Sequence, residues 1–380
     1  MKQTKLVASI MAFFMALATV TSCTQTGENS TADSANPADT LPELKGDDGL
    51  NRAARFYAGV SREGVDMSSA DAQEWEKYSK DMKKLTNISF KTLGQVDSLA
   101  KADFSDFRDS VDLVFYPFSA ADFLYPITLF PNADTYLLCG LEKTGTPFST
   151  DIKTNYDQYE AYHKALSTFL RISFFVTKNM KNDMDNELID GTCPIITMLM
   201  ATAGYDIISI ENLQIDDDGN LLPGDGKGTV MKYKFFRQGS KHEQTLYYVS
   251  ADVANSRIDP RVKRYVEKSL PNHTVGTYLK AASYLMHMPG FSLFRDYIVN
   301  YSQYIVEDDS GVPYKYLTDK YDITLYGVYK RPLMVFSDSC IQPDLDKAYK
   351  AHAGEVKRLP FLIGYNSPSN WLCARRIQGK

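Results

Sequence analysis

Three segments of the chain carry side chains that suit acid–base or binding chemistry. They span residues 115–142, 279–299 and 306–316. Carboxyl groups with separated pKa values, together with a histidine, are groups that a hydrolase uses as general acid and general base. The acid–base candidates in these segments are Asp122, His287, Asp308 and Asp309, and the binding candidates are Tyr125, Arg295 and Tyr314.

Asp122 lies in an otherwise apolar stretch, between Phe118 and Leu124. A carboxyl group in such surroundings faces solvent, caps a backbone group, or occupies a pocket that raises its pKa. Because Ser119 stands three residues earlier, we interpret the pair as a capping box at the start of a helix. A functional role for Asp122 is the alternative.

His287 and Arg295 flank a Pro-Gly turn in the second segment. The pattern predicts that His287 ends one helix, where the helix dipole favours its charged form, and that Arg295 lies early in the next helix. An arginine among apolar residues needs a partner, and Asp296 is the adjacent acid. Roles at the boundary of the core are favoured over catalysis for both residues.

Asp308 and Asp309 belong to a predicted turn that contains Gly311. Two carboxylates in one turn can bind a cation or a sugar hydroxyl, but aspartate more commonly accepts hydrogen bonds from its own turn. We predict no metal and no cofactor. The five histidines lack partners at short spacing, and no GK[ST] loop, HExxH or GxSxG is present. The acidic run 216–220 fails as a calcium loop, since its sixth position is Leu221, and we expect a solvated hairpin loop there instead.

Hydrophobic periodicity predicts the elements that position these residues. The clearest signal is a strand–helix–strand unit, and a group of three antiparallel strands follows later in the chain. The mixed order predicts an α+β fold: a single mixed domain over residues 50–380, with an antiparallel sheet and several long helices. Predicted strands are 112–116, 134–141, 205–215, 228–237, 244–250, 305–306, 323–329, 334–336, 361–365 and 371–376. Predicted helices are 51–60, 68–100 with a break at Asn87, 120–129, 151–176, 193–203, 261–269, 275–288, 291–301 and 345–353.

The first 22 residues have the layout of a bacterial lipoprotein signal peptide. Lys2 and Lys5 precede an apolar run over residues 6–20, which is shorter than the roughly 20 residues that span a bilayer. The residues before Cys23 resemble a lipobox, with Val20 where leucine is usual. We therefore predict lipidation of Cys23 by acyl chains. A cleaved signal peptide without lipidation is the alternative.

Residues 24–40 are rich in small and polar side chains, and we predict that residues 23–49 form the lipidated cysteine and a flexible tether to the folded part. No aspartate follows Cys23, which favours the outer membrane. The predicted location is thus the cell envelope, with the membrane as a partner through the lipid. The net charge of −5 argues against a nucleic-acid partner, which would require a basic surface.

The counts of cysteine and tyrosine leave two structural questions open. Cys139, Cys193, Cys340 and Cys373 can form disulfides in an oxidising compartment or remain buried thiols. The chain has 25 tyrosines against 2 tryptophans. Tyrosine-rich surfaces suit contact with sugars or proteins, but filling of the core and sheet is the favoured interpretation.

The three segments, together with the C-terminal LPFLIGY, resemble an uncharacterised family of secreted proteins and lipoproteins from Bacteroidetes-like bacteria. The resemblance implies export and one shared fold, and it transfers no activity or site residue. Two functions are therefore hypotheses. The first is a membrane-anchored lipoprotein that binds a ligand or partner, such as an envelope protein or glycan. The second is an envelope hydrolase with a dispersed acid–base site.

Overall fold

The computed structural model describes residues 43–171, 186–225 and 228–379. The predicted signal peptide, Cys23, most of the predicted tether and the end of the predicted helix 151–176 lie outside these residues. Within the described ranges, no helix has the length and apolar character needed to cross a membrane.

The strands of the described chain form one ten-stranded mixed sheet in the order β4-β3-β5-β6-β2-β1-β7-β8-β10-β9. The five central strands, from β6 to β8 in this order, run parallel. Antiparallel strands complete both sides. The strands are β1 (Leu113–Tyr116), β2 (Thr135–Gly140), β3 (Tyr205–Ile215), β4 (Leu221–Pro223), β5 (Val230–Arg237), β6 (Glu243–Ser250), β7 (Val275–Leu279), β8 (Ser302–Glu307), β9 (Tyr321–Gly327) and β10 (Asn370–Arg376).

Eight α-helices occur in the part of the chain that the structure covers, and with the sheet they confirm the predicted α+β class. The first begins two residues before the predicted start of the folded domain. The helices are α1 (Asp48–Tyr57), α2 (Ser69–Asp103), α3 (Leu124–Leu129), α4 (Tyr156–Arg171), α5 (Cys193–Thr202), α6 (Pro260–Ser269), α7 (Ser292–Tyr301) and α8 (Pro343–Ala351).

Two hydrophobic cores lie on the two faces of the sheet, because successive side chains of a strand point to opposite faces. In β1, Val114 and Tyr116 join the core that includes residues of α1 to α5. Leu113 and Phe115 join the core that includes residues of α6, α7 and α8. All four side chains of this strand are buried, as expected for a central parallel strand.

Helix α2 is continuous over 35 residues, so the predicted break at Asn87 is wrong. Asn87 faces solvent, and the buried stripe that includes Met82 and Leu85 continues at Leu93. Ser68 caps the N-terminus by accepting a hydrogen bond from the backbone N–H of Asp71. An exposed asparagine in a long amphipathic helix therefore costs too little to interrupt it.

Three further element predictions are wrong. Residues 275–288 form strand β7, a loop and a short 3₁₀ turn at Leu285–His287 instead of a helix. Residues 334–336 and 361–365 are not strands. Met334 and Val335 are largely exposed and pair with no other strand. Local strand propensity alone is not sufficient to form a strand without such packing.

The cysteines and tyrosines mostly fill the core. Cys139, Cys193, Cys340 and Cys373 are buried free thiols, so the disulfide alternative is not realised in this structure. Burial raises the pKa of Cys139, Cys193 and Cys373 to about 12, which makes these thiols unreactive. Core filling by tyrosine is confirmed for Tyr116, Tyr136, Tyr233, Tyr248, Tyr278, Tyr284 and Tyr326, whose side chains are fully buried.

Candidate functional site

The candidate site lies at the carboxyl ends of the central parallel strands, where the direction of the chain through the sheet reverses. From β1 the chain continues through α3 to β2 on one side. From the neighbouring β7 it continues through α7 to β8 on the other side. Ligands of open α/β sheets bind in the crevice that such a reversal creates at the carboxyl ends of the strands.

Asp122 and Lys280 form a buried ion pair between the loops that follow β1 and β7. The Asp122 Oδ2–Lys280 Nζ distance is 2.9 Å, and the two side chains are 1% and 4% exposed. The Lys280 ammonium also lies 3.9 Å from the centre of the Tyr125 ring. The hydroxyl of Tyr116 donates to the same carboxylate at 3.3 Å. The pair therefore joins the ends of the two strands between which the chain reverses.

The predicted capping box of Ser119 and Asp122 is wrong. Helix α3 begins at Leu124, and the Ser119 hydroxyl bonds to the backbone carbonyls of Ala120 and Cys139. Asp122 does accept a hydrogen bond from a backbone amide, that of Tyr125 at 3.3 Å. A carboxylate near the helix start thus remains, but its principal partner is a lysine 158 residues away in the chain.

The loop after β7 has an unusual backbone. Ala281, Ser283 and Tyr284 have φ values of +52°, +53° and +55°, and Ala120 in the facing loop has +47°. This left-handed region costs roughly 1–2 kcal/mol for each non-glycine residue. Strain of this kind persists only where surrounding contacts impose it, and it clusters at functional sites.

Two acids after β8 hold this strained loop in place. The Asp308 carboxylate accepts a hydrogen bond from the backbone N–H of Ala281 at 2.8 Å. The Asp309 carboxylate accepts one from the hydroxyl of Tyr284 at 2.6 Å. The Ser310 hydroxyl oxygen accepts a hydrogen bond from the backbone N–H of Ala282 at 2.7 Å. The predicted turn role of Asp308 is confirmed as well, because it accepts a hydrogen bond from the N–H of Ser310.

The acids at the end of β8 and in the turn after it are buried, which the sequence did not indicate. Asp308 and Asp309 are 2% and 4% exposed, and Glu307 is completely buried. Burial raises the pKa of all three, and the charge of Asp308 adds to the rise at Asp309, whose pKa reaches about 7. Two glycines leave room for them. A Cβ at Gly311 would lie 2.2 Å from Glu307, and one at Gly364 would lie 2.1 Å from Asp308.

His287 and Arg295 lie beside this cluster. The ring of His287 hydrogen-bonds to the backbone of Asp309, and burial lowers its pKa to about 4, so it is neutral near pH 7. His287 ends only a three-residue 3₁₀ turn instead of the predicted long helix. The predicted stabilisation of its charged form by the helix dipole is wrong. Arg295 donates to the carbonyl of Met286 at 3.2 Å and stacks over the Tyr316 ring at 4.2 Å. Its Nε lies 3.5 Å from the expected partner, Asp296.

A cleft of about 230 Å³ opens at the carboxyl ends of four adjacent parallel strands: β6, β2, β1 and β7. Its apolar wall includes Phe118, Leu141 and Phe291, and the two phenylalanine rings are 6.3 Å apart. Its charged lining residues are Glu142, Asp252 and Arg257. Residues 281 to 283 of the strained loop also line the cleft.

The predicted acid–base residues come together, but they do not line this cleft. Asp122, Asp308 and Asp309 lie behind it and are bonded to groups of the surrounding loops, and His287 contacts the same turn. The binding candidate Tyr125 packs on Lys280, also away from the cleft lining. Tyr314 lies elsewhere, on a groove beside β9. The three segments therefore come together mainly behind the wall of the cleft, where their side chains support it.

Sequence reasoning missed Lys280, Ser283, Tyr365 and the charged lining residues. Ser283 lines the cleft, and its hydroxyl lies 2.8 Å from that of Tyr365. Tyr365 also donates to the carbonyl of Ala281 at 2.7 Å. The residues 280–283 were hidden inside a predicted helix. Had β7 been recognised as a strand, its following loop would have been a candidate by position alone.

Among the other grooves on the described surface, two have volumes well above that of the cleft, about 580 and 400 Å³. The first lies between α2 and α3, where the Arg108 guanidinium is bonded to Asp97 and to two backbone carbonyls. The second is the groove beside β9. Neither lies at the chain reversal or beside the strained backbone, so the cleft is the stronger candidate.

No group of three or more potential metal-ligating side chains is present among the residues that the structure covers. The acidic run at Asp216 forms an exposed turn, in which this carboxylate accepts hydrogen bonds from the N–H groups of Asp218 and Asn220. This agrees with the solvated hairpin loop expected in place of a calcium site. Comparison of the chain with protein-family models, curated proteins and solved structures gave no match.

Proposed function

We propose that this protein is an exported lipoprotein, anchored at the bacterial envelope through Cys23, that binds a sugar residue of an envelope glycan in the cleft. The observation that carries the binding proposal is the composition of the cleft at the chain reversal. It pairs an apolar aromatic wall with three charged side chains. The anchor rests on the signal and lipobox pattern of the sequence.

The cleft combines the two surfaces that a sugar requires. A sugar ring presents an apolar C–H face, which packs on aromatic or aliphatic side chains such as Phe118, Phe291 and Leu141. Its hydroxyls lie around the edge and form their strongest hydrogen bonds with charged partners such as Glu142 or Arg257. Drug-sized ligands occupy pockets of about 300–1,000 Å³. A cleft somewhat below this range suits a single sugar residue.

The side chains of the cleft are held in position before any ligand arrives. Arg257 is paired with Asp252 at 2.6 Å. Tyr248 donates a hydrogen bond to the backbone carbonyl of Glu142 at 2.9 Å. The strained loop is fixed by Asp308, Asp309 and Ser310, as described above. A preformed site loses less conformational entropy when it binds, which favours affinity for a small ligand.

The buried acids support this binding role better than hydrolysis. A general acid or base must come within hydrogen-bond reach of the substrate atom. Asp122, Asp308 and Asp309 instead form hydrogen bonds to Lys280, Ala281 and Tyr284 behind the cleft wall. We therefore assign these three acids to the positioning of the loop, and their contacts do not favour the envelope-hydrolase hypothesis.

The test is binding of a panel of neutral and amino disaccharides, measured by titration calorimetry. Leu141, which is 55% exposed and lines the cleft, is replaced by tryptophan to fill the site. Leu222, 48% exposed on β4, receives the same substitution as the matched control. We expect Leu141→Trp to weaken binding at least about tenfold, equivalent to about 1.4 kcal/mol, and Leu222→Trp to leave it unchanged. Equal effects of the two substitutions, or a panel without any binder, would refute the proposal.

A further inference from the structure

The loop between β9 and α8 exposes a cluster of large apolar side chains. Met334 is 101% exposed, Val335 is 82% exposed and Leu333 is 40% exposed. Single exposed apolar residues are ordinary, but three adjacent ones on a soluble surface commonly mark an interaction site. We call residues 330–336 the apolar loop.

The base of the apolar loop is anchored to the folded part. Phe336 packs against the rings of Tyr284 and Tyr365, at centroid distances of 4.7 and 4.8 Å. Its backbone N–H donates to the carbonyl of Leu333 at 2.8 Å and closes a turn. The tip is thus presented by a turn with a fixed base, and the side chains of Met334 and Val335 are left largely exposed.

Two cations stand on the N-terminal side of the tip. Lys330 and Arg331 are exposed and are separated from the apolar residues only by Pro332. Lys330 donates a hydrogen bond to the carbonyl of Ser367 at 2.8 Å. Asp338, also exposed, is the acid that follows the loop. An apolar tip with adjacent Lys and Arg side chains matches a membrane interface, where acyl chains lie beneath anionic headgroups.

We propose that the apolar loop inserts Leu333, Met334 and Val335 into the headgroup region of an anionic bilayer, with Lys330 and Arg331 on lipid phosphates. The loop would orient the folded part on the membrane. This contact involves residues roughly 300 positions after Cys23 and does not require the lipid on that residue. The proposal and the proposed sugar binding can therefore fail separately.

The experiment uses the full chain isolated from membranes and bound to vesicles that contain anionic phosphatidylglycerol. Met334→Cys carries an environment-sensitive fluorophore, and Ile88→Cys, an exposed apolar position on α2, carries the same label as control. The native Cys139, Cys193, Cys340 and Cys373 are buried, so labelling at these sites is small. We expect a blue shift, and quenching by lipid-attached nitroxides, at position 334 and neither effect at position 88.

A second measurement tests the role of the cations. Each Lys or Arg near an anionic surface contributes about fivefold to membrane partitioning. The double substitution Lys330→Gln and Arg331→Gln should therefore lower the inserted fraction up to about 25-fold by the same rule. An unchanged fraction, or equal insertion into purely zwitterionic vesicles, overturns the assignment of these cations.

Two further outcomes overturn the proposal itself. In the first, the label at position 334 remains water-exposed on vesicles, just as the label at position 88 does. In the second, it becomes shielded only in native envelope fractions, which would indicate that the apolar loop docks on a protein instead of the bilayer.

Discussion

Substitution of Lys280 by methionine should destabilise the protein more than any surface charge substitution. The methionine keeps the length and apolar stem of the side chain and removes the ammonium group. Asp122 is 1% exposed, and it would keep only the Tyr116 hydroxyl and the Tyr125 amide as partners, both at 3.3 Å. Removal of one partner from a buried ion pair costs roughly 3–5 kcal/mol. We expect a loss of that size.

The assay is urea unfolding followed by tryptophan fluorescence, with the free energy of unfolding extrapolated to water. Both tryptophans, Trp75 and Trp371, are buried and report on the core. Lys84→Met is the matched control, because Lys84 pairs with Asp81 at 2.8 Å on the exposed face of α2. Substitutions of that kind usually change stability by no more than about 0.5 kcal/mol.

A companion variant separates loss of the pair from loss of the lysine stem. In the double variant Lys280→Met and Asp122→Asn, the amide oxygen can still accept hydrogen bonds and no buried charge is left uncompensated. At least half of the lost stability should return. If Lys280→Met costs less than about 1 kcal/mol, the ion pair does not join the two loops as described, and the reasoning fails.

Three further substitutions test the strained loop and the titrating groups near it, all by urea unfolding. Ala281→Gly should cost roughly 1–2 kcal/mol less than Ala282→Gly, because Ala281 has a φ of +52° and glycine relieves its strain; equal losses contradict this. Burial and the charge of Asp308 raise the pKa of Asp309 to about 7, so the folded chain retains a proton that the unfolded chain releases above about pH 4. Stability should fall as pH rises from 4 to 7, and Asp309→Asn should flatten this slope; an unchanged slope contradicts the assignment. Burial lowers the pKa of His287 to about 4, so the unfolded chain gains its proton first below about pH 6.5. This group should therefore reduce stability as pH falls from 6.5 to 4, and His287→Gln should remove that loss. If the substitution leaves the pH dependence of the free energy of unfolding between pH 4 and 6.5 unchanged, the assignment is contradicted.

Local sequence signals were sufficient for much of the fold. The apolar runs at 112–116 and 134–141 became the adjacent parallel strands β1 and β2. The antiparallel group became β3, β5 and β6. These strands are long or strongly apolar, and local propensity and tertiary packing favour the same state there.

Strand β7 shows where local signals fail. It is only five residues long, and all five are buried, so alternation cannot identify it. The residues after it, from Lys280 onward, have helical spacing because some side chains pack on the core and others line the cleft. Three of these residues adopt left-handed backbone, which no propensity predicts. The contacts that impose this conformation come from the turn after β8.

The carboxylates show the same limit. Asp122, Asp308 and Asp309 were identified as unusual residues, but their partners could not be inferred. Lys280 is 158 residues from Asp122, and Tyr284 is 25 residues from Asp309. An acid in a turn and an acid buried beneath a strained loop have the same local sequence. Only the pairing of β1, β7 and β8 in one sheet distinguishes them.

The most direct test of the cleft as a sugar site is a crystal structure of the protein with the tightest-binding disaccharide of the panel. We predict one sugar ring against Phe118 or Phe291, with hydroxyls bonded to Glu142 or Arg257 and the loop at Ala281 unchanged. A disaccharide in the groove between α2 and α3 or beside β9, with the cleft empty, would contradict the account.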